Sequence, residues 1–108
     1  MALIQIQWTA QDVEEAQKII DLLLKQKLIA CATIIDAVES HYVWQGQKAC
    51  AEEVKILMKT LDAHFQDIVH VISDESSYDV PEILAFEVSF VSESYLKWVE
   101  TQVMPRNL

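Results

Sequence analysis

Residues 29–59, IACATIIDAVESHYVWQGQKACAEEVKILMK, set the architecture, because they read as two long strands folded back on each other at Gln45-Gly46. The first arm opens with an apolar run rich in β-branched residues at 29–35. After Asp36-Ala37 the strand tendency resumes through Val38, Tyr42, Val43 and Trp44, which predicts one long or bent strand. Gly46 is the chain's only glycine. An isolated glycine between two strand-like runs most often supplies the positive φ of a tight turn, so a hairpin follows. In the returning arm Val54, Ile56 and Met58 alternate with Lys55, Leu57 and Lys59, the period of a strand with one buried face.

On the N-terminal side, residues 3–8 (LIQIQW) predict a first strand ending before Thr9. Thr9 and Asp12 have capping-box spacing. Val13, Ala16, Ile19, Ile20, Leu23 and Leu24 then recur at helical intervals, giving a first helix that runs to Lys27 or Leu28. Beyond the hairpin, Thr60 is placed to cap a second helix carrying Leu61, Phe65, Ile68, Val69 and Ile72 on one face. A polar loop is expected at 73–79. Val80-Pro81 imposes an extended entry on a strand over 83–91. Ser92 or Ser94 can then cap a last helix with Tyr95, Leu96, Val99 and Val103, stopping near Pro105.

The order strand, helix, strand, strand, helix, strand, helix predicts a single α+β domain over 1–108. Its architecture is a ferredoxin-like sandwich, an antiparallel sheet with helices on one side, plus an extra C-terminal helix. The other sheet face then needs cover. Trp8, Tyr42 and Trp44, if they lie outside the monomer core, would mark oligomer contacts, with ordinary core packing as the alternative.

Composition narrows the partners. Eight Lys and Arg against 17 Asp and Glu give a net charge of −9. That charge repels phosphate backbones and anionic lipid, so neither nucleic acid nor a membrane is expected. Residues 1–8 lack a basic leader, and no apolar run reaches the length of a membrane span. Two cysteines, Cys31 and Cys50, without C-x-x-C spacing, fit a reducing compartment. The cytoplasm is the expected location.

Catalytic signatures are missing from the sequence. One glycine cannot build a phosphate-cradling loop, and no motif groups a nucleophile with a base, so no enzyme activity is expected. Asp79 and Glu82 flank Val80-Pro81 as a carboxylate pair that could do acid–base work or meet a hard cation, or simply solvate a loop. His64 and His70 are six apart on a helix and share no face, which reads as two surface histidines. A two-residue turn at Gln45-Gly46 would set His41 directly across from Cys50. Imidazole and thiolate together suit a soft or borderline metal, while an ordinary cross-strand pair is the plainer reading.

Several separated segments resemble the CutA family of divalent-cation tolerance proteins over nearly the whole chain. They are Glu14-Glu15-Ala16 with Lys27-Leu28-Ile29-Ala30-Cys31-Ala32, the hairpin residues Tyr42, Trp44 and Gly46, Glu53-Val54, Lys59-Thr60, Tyr78-Asp79-Val80-Pro81-Glu82-Ile83, and Tyr95-Leu96-Lys97-Trp98. The resemblance implies a ferredoxin-like subunit in a tight homotrimer, without catalysis, linked to copper or other divalent cations and akin to PII-type proteins that bind ligands between subunits. The residues themselves demand no cofactor; a divalent metal or copper is the candidate that the resemblance adds. Copper binding in the family is associated with a Cys at the end of the first strand and His residues before a Pro-Tyr pair. Here those places hold Trp8, Glu75 and Ser76, with Ser77 for the proline. Soft donors have thus become indole, carboxylate and hydroxyl. Cys31 is the matching thiol, although its apolar strand suggests inert burial. Beside the CutA-type reading stand a small-molecule sensor with ligand near Tyr78, Glu82 and Lys59, and an acidic adaptor for a basic protein.

Overall fold

The computed structural model describes residues 2–105; Met1, part of the stretch read above for a leader, lies outside them. Its elements are β1 (Leu3–Ala10), α1 (Val13–Lys25), β2 (Cys31–Trp44), β3 (Gln47–Leu61), a 3-10 turn (Asp62–His64), α2 (Phe65–Glu75), β4 (Ile83–Glu87) and α3 (Glu93–Gln102). The four strands form one sheet in the order β2-β3-β1-β4, antiparallel at every pairing. Two split βαβ units sharing one sheet make the ferredoxin-like α+β sandwich that the element order predicts.

Strand periodicity builds the core. Ile4, Ile6, Trp8 and Ala10 alternate onto one face of β1 and meet Val54, Ile56 and Met58 of β3, Ala16, Ile19 and Leu23 of α1, and Ile68 and Ile72 of α2. Trp8 is therefore a core residue, fully buried, and not the interface residue considered above. The reason is parity: a side chain two positions from Ile6 points where Ile6 points. Tyr42 and Trp44, by contrast, are exposed as expected. On the second face Leu3 and Leu61 pack with Ala30, Val99 and Val103, so α3 covers one end of it.

Several boundaries move for identifiable reasons. β1 continues through Thr9 to Ala10, and Asp12 caps α1 by accepting from the Glu15 N–H at 2.8 Å. A carboxylate at the N-cap also answers the helix dipole. α1 stops at Lys25, closed by bonds from Leu28 N to Leu23 O and from Lys27 N to Leu24 O, each 3.0 Å, with Lys27 in the left-handed region at φ 57°. This is the Schellman arrangement, made here without glycine. Thr60 does not cap α2; buried inside β3, it donates to the Leu28 carbonyl at 2.6 Å. His64 is not a surface histidine: it is only 2% exposed, and neither ring nitrogen has a hydrogen-bond partner among the described residues. His70 is exposed, 3.7 Å from Asp74. β4 ends at Glu87, and Ser92 caps α3 by accepting from the Tyr95 N–H at 3.3 Å.

Candidate functional site

The β2–β3 hairpin is long enough to run past the core, and the molecule measures 44 Å along its longest axis. Gln45 and Gly46 have φ of 50° and 79°, the two positive values of a type I′ turn. A Cβ added at Gly46 would touch nothing within 4 Å, so glycine serves the backbone there and not the space.

The turn fixes the distal register: Tyr42 faces Ala49, His41 faces Cys50, Ser40 faces Ala51 and Glu39 faces Glu52. A bulge at Asp36-Ala37 then shifts the register, so that Val38 pairs with Glu53 but Ile35 with Lys55. Two residues of β2 oppose one of β3, and every later side chain of β2 changes face. Ser40, Tyr42 and Trp44 consequently share the face of Glu53 and Lys55. Glu39 and His41 share the opposite face with Cys50 and Glu52.

On the first of these faces lies a cleft of about 600 Å³ between the hairpin, the end of β1 and the 77–82 loop. Tyr42, Trp44 and Tyr78 supply aromatic lining, Thr9, Glu53 and Glu82 supply polar lining, and His41 borders it as well. The loop is held from two sides. Ser77 donates from its N–H to Glu15 at 3.0 Å and from its hydroxyl to the Gln11 side chain at 2.7 Å. Tyr78 donates its hydroxyl to the buried Glu53 carboxylate. Burial, then that hydrogen bond, raise the Tyr78 hydroxyl well above an ordinary phenol.

Glu82 is the second anchor. One carboxylate oxygen accepts from Lys55 at 2.9 Å, Gln7 at 3.2 Å and Thr9 at 3.2 Å. Partial burial alone would raise this carboxyl, but the bonds from Lys55, Gln7 and Thr9 outweigh it and hold the group below its ordinary value. Stability from a depressed carboxylate is present above the unfolded value and lost as pH falls through the folded one. The Glu82→Gln variant is therefore expected to melt lower than the parent at pH 7, by about 1 kcal/mol after allowance for solvent screening. The gap should close as pH falls through the depressed titration of the parent carboxylate, below its ordinary range. Melting curves at pH 7 and through that titration check this, and a gap independent of pH contradicts it.

The opposite face of the hairpin carries the predicted His41–Cys50 pair, with Sγ 3.8 Å from Nε2. It also carries Glu39, missed in the sequence reading, whose carboxylate is 3.1 Å from the same Nε2. The three ligand atoms lie within 4.8 Å of one another, and all three side chains are exposed. Local desolvation, then the Glu39 carboxylate and more weakly Glu52, raise the Cys50 thiol above its ordinary value.

Other sequence candidates fall elsewhere. Lys59 pairs with Cys31 in the β2–β3 ladder and with Gln5 of β1. It lies four positions from Lys55 along β3, about 13 Å away at the rise of a strand. Lys55, not Lys59, is the cation beside Glu82, while Tyr78 and Glu82 do share the cleft. Cys31 is half-buried, its Sγ 3.4 Å from the Tyr95 hydroxyl. That contact first, and burial second, push the Tyr95 hydroxyl up to about 12. At the places where the resemblance sets copper ligands, Trp8 is sealed in the core and the Ser76 hydroxyl is engaged by the Tyr78 N–H at 3.1 Å. Those positions do not fit a soft metal ion.

Comparison with known proteins agrees with this fold. Residues 4–102 match the family model described as CutA1 divalent ion tolerance protein. The chain is 35% identical over 97 residues to the divalent-cation tolerance protein CutA of Pyrococcus horikoshii, covering 90% of this chain and 94% of that one. It is 33% identical over 95 residues to an Escherichia coli protein of the same name, covering 88% and 85%. The crystal structure of CutA1 from Pyrococcus horikoshii superposes with a TM-score of 0.89 at 32% identity, covering 94% of this chain and 99% of that chain.

Proposed function

The chain belongs to the CutA1 divalent ion tolerance family, and from that premise we propose that it acts as a homotrimeric, non-enzymatic binding protein in the response to divalent cations. One observation carries the oligomeric part of this reading. The monomer leaves uncovered a set of large apolar side chains: Tyr42, Val43 and Trp44 on the hairpin, Leu84 and Phe86 on the sheet, and Phe90 beyond it. Hydrophobic surface gathered on a projecting hairpin and an open sheet face is what self-association removes from water. The three-fold count is what kinship with the family supplies.

A binding role in place of catalysis is supported by how the cleft's polar groups are used. Tyr78 is engaged by Glu53, and Glu82 by Lys55, Gln7 and Thr9. A general acid or base needs a proton free to move to substrate, and these groups spend theirs on one another. Copper at the family-type positions is not favoured, since Trp8, Glu75 and Ser76 offer no soft donor there. No described helix is long and apolar enough to cross a membrane. The two free thiols support a reducing compartment such as the cytoplasm.

Sedimentation equilibrium tests the reading: a mass three times the 12.4 kDa chain is expected, and a monomer across the accessible concentration range removes it. The cleft favours a second reading, a sensor of small molecules akin to PII-type proteins. A metabolite screen by thermal shift in which nothing stabilises the protein would count against that one.

A further inference from the structure

We propose that Glu39, His41 and Cys50 form a binding site for a borderline divalent cation, zinc(II) by chemistry, on the face of the hairpin turned away from the aromatic side chains Tyr42 and Trp44. This deepens the cation-response reading and rests on it for its biological sense, but its geometry stands by itself. Nε2 of His41 is 3.1 Å from the Glu39 carboxylate and 3.8 Å from the Cys50 sulfur. Around a tetrahedral zinc, with metal–ligand distances near 2.0–2.3 Å, neighbouring donor atoms stand about 3.3–3.6 Å apart. The two separations from His41 lie close to this spacing, and all three donor atoms are within 4.8 Å of one another, so exposed side chains need only rotate to close around an ion.

Three features of the hairpin prepare the site. The donors sit on paired strands and not on a loop: Glu39 and His41 two apart on β2, and Cys50 directly opposite His41 on β3. Backbone ladder bonds thus fix their separation before any ion arrives. The bulge at Asp36-Ala37 sets them on the strand face opposite Tyr42 and Trp44, where their side chains are exposed and free to adjust, with His41 also bordering the cleft. Finally, the register sets Glu39 opposite Glu52. Like charges directly across a ladder are destabilising, and a bound cation would relieve that repulsion.

The donor chemistry chooses among cations. Calcium and magnesium take all-oxygen shells, whereas thiolate, imidazole and carboxylate together suit zinc and its spectroscopic substitute cobalt(II). A carboxylate and a thiolate neutralise the two positive charges. Three protein donors leave one position of a tetrahedron for water or a further ligand, as in open zinc sites.

Cobalt(II) is the probe. Titrating it into the reduced, chelator-stripped full chain should produce the near-ultraviolet thiolate-to-cobalt charge-transfer band and the visible bands of a tetrahedral centre, reversed by one equivalent of zinc. The band should persist in Cys31→Ser and disappear in Cys50→Ser. His41→Ala and Glu39→Gln should each weaken zinc binding at least ten-fold, with melting temperatures of the metal-free variants near the parent's. No thiolate band in the parent, or a band that follows Cys31 and not Cys50, overturns the proposal. Sedimentation on the same samples separates the two ideas. A trimer without the band sinks this site alone, and a monomer with the band sinks the trimer and leaves the site standing.

Discussion

Replacing Trp44 by aspartate (W44D) is expected to convert the proposed trimer into a folded monomer, lowering the sedimentation mass about three-fold. Trp44 stands at the end of β2 with 44% of its surface still exposed in the single chain. That leaves roughly 100 Å² for a neighbouring subunit to bury, worth about 2.5 kcal/mol at 25 cal/mol per Å². An aspartate at the same place forfeits this gain and carries a carboxylate into an apolar contact without a partner, which costs several kcal/mol more. The loss recurs at each copy of a symmetric interface. The monomer's own fold should survive, because Trp44 takes no part in the core of Ile6, Trp8 and Ile56. Trp44→Phe keeps the apolar area and should keep the trimer. An unchanged mass for W44D would show that the hairpin tip is not an interface.

Trp8 provides the opposite case. The Trp8→Ala variant is expected to lose about 3–5 kcal/mol of stability in urea unfolding. This is a large share of the roughly 5–15 kcal/mol that holds a domain of this size together. The indole fills the centre of the layer between the sheet and the helices, and its removal opens a cavity that surrounding Ile6, Ile56 and their neighbours only partly collapse into. The expected loss sits toward the lower end of that range. The indole N–H is buried without a hydrogen-bond partner among the described residues, and deleting it removes a cost that the parent bears. Trp8→Phe, which keeps most of the ring and drops the N–H, should be much milder. If W8A instead changed the oligomer's mass while leaving its unfolding midpoint in place, Trp8 would be an interface residue after all.

The contrast between these two tryptophans shows what the sequence made legible. Alternation placed Trp8 with Ile4 and Ile6 on one face, and the rule that assigns those isoleucines to the core assigns Trp8 as well. The core-packing alternative to the interface reading is the one that holds for Trp8. The hairpin was legible because a lone glycine between two alternating runs usually serves the positive φ of a tight turn, and the same turn set His41 against Cys50. Glu39 was within reach of the same logic, two residues before His41 on a strand of period two.

What stayed hidden depends on contacts distant in sequence or on local competition between donors. The bulge at Asp36-Ala37 carries no composition signal strong enough to fix it, yet it decides that Tyr42 and Trp44, and not His41, share the face of Glu53. The Tyr78–Glu53 and Glu82–Lys55 contacts join segments that only the folded sheet brings together. Thr9 and Thr60 look like helix caps, but Asp12 offers a better acceptor, and the Thr60 hydroxyl is taken by the buried Leu28 carbonyl. His64 reads as a surface histidine because a 3-10 turn ahead of α2 rotates it inward, a change of phase that helical spacing does not reveal.

Native mass spectrometry of the untagged, reduced protein, stripped of metal and then given one equivalent of zinc per chain, tests oligomer and cation site together in one spectrum. The expected species is three 12.4 kDa chains carrying three zinc ions. A monomer, or a trimer that takes up no zinc, would contradict the reading of this chain as a trimeric cation-binding protein.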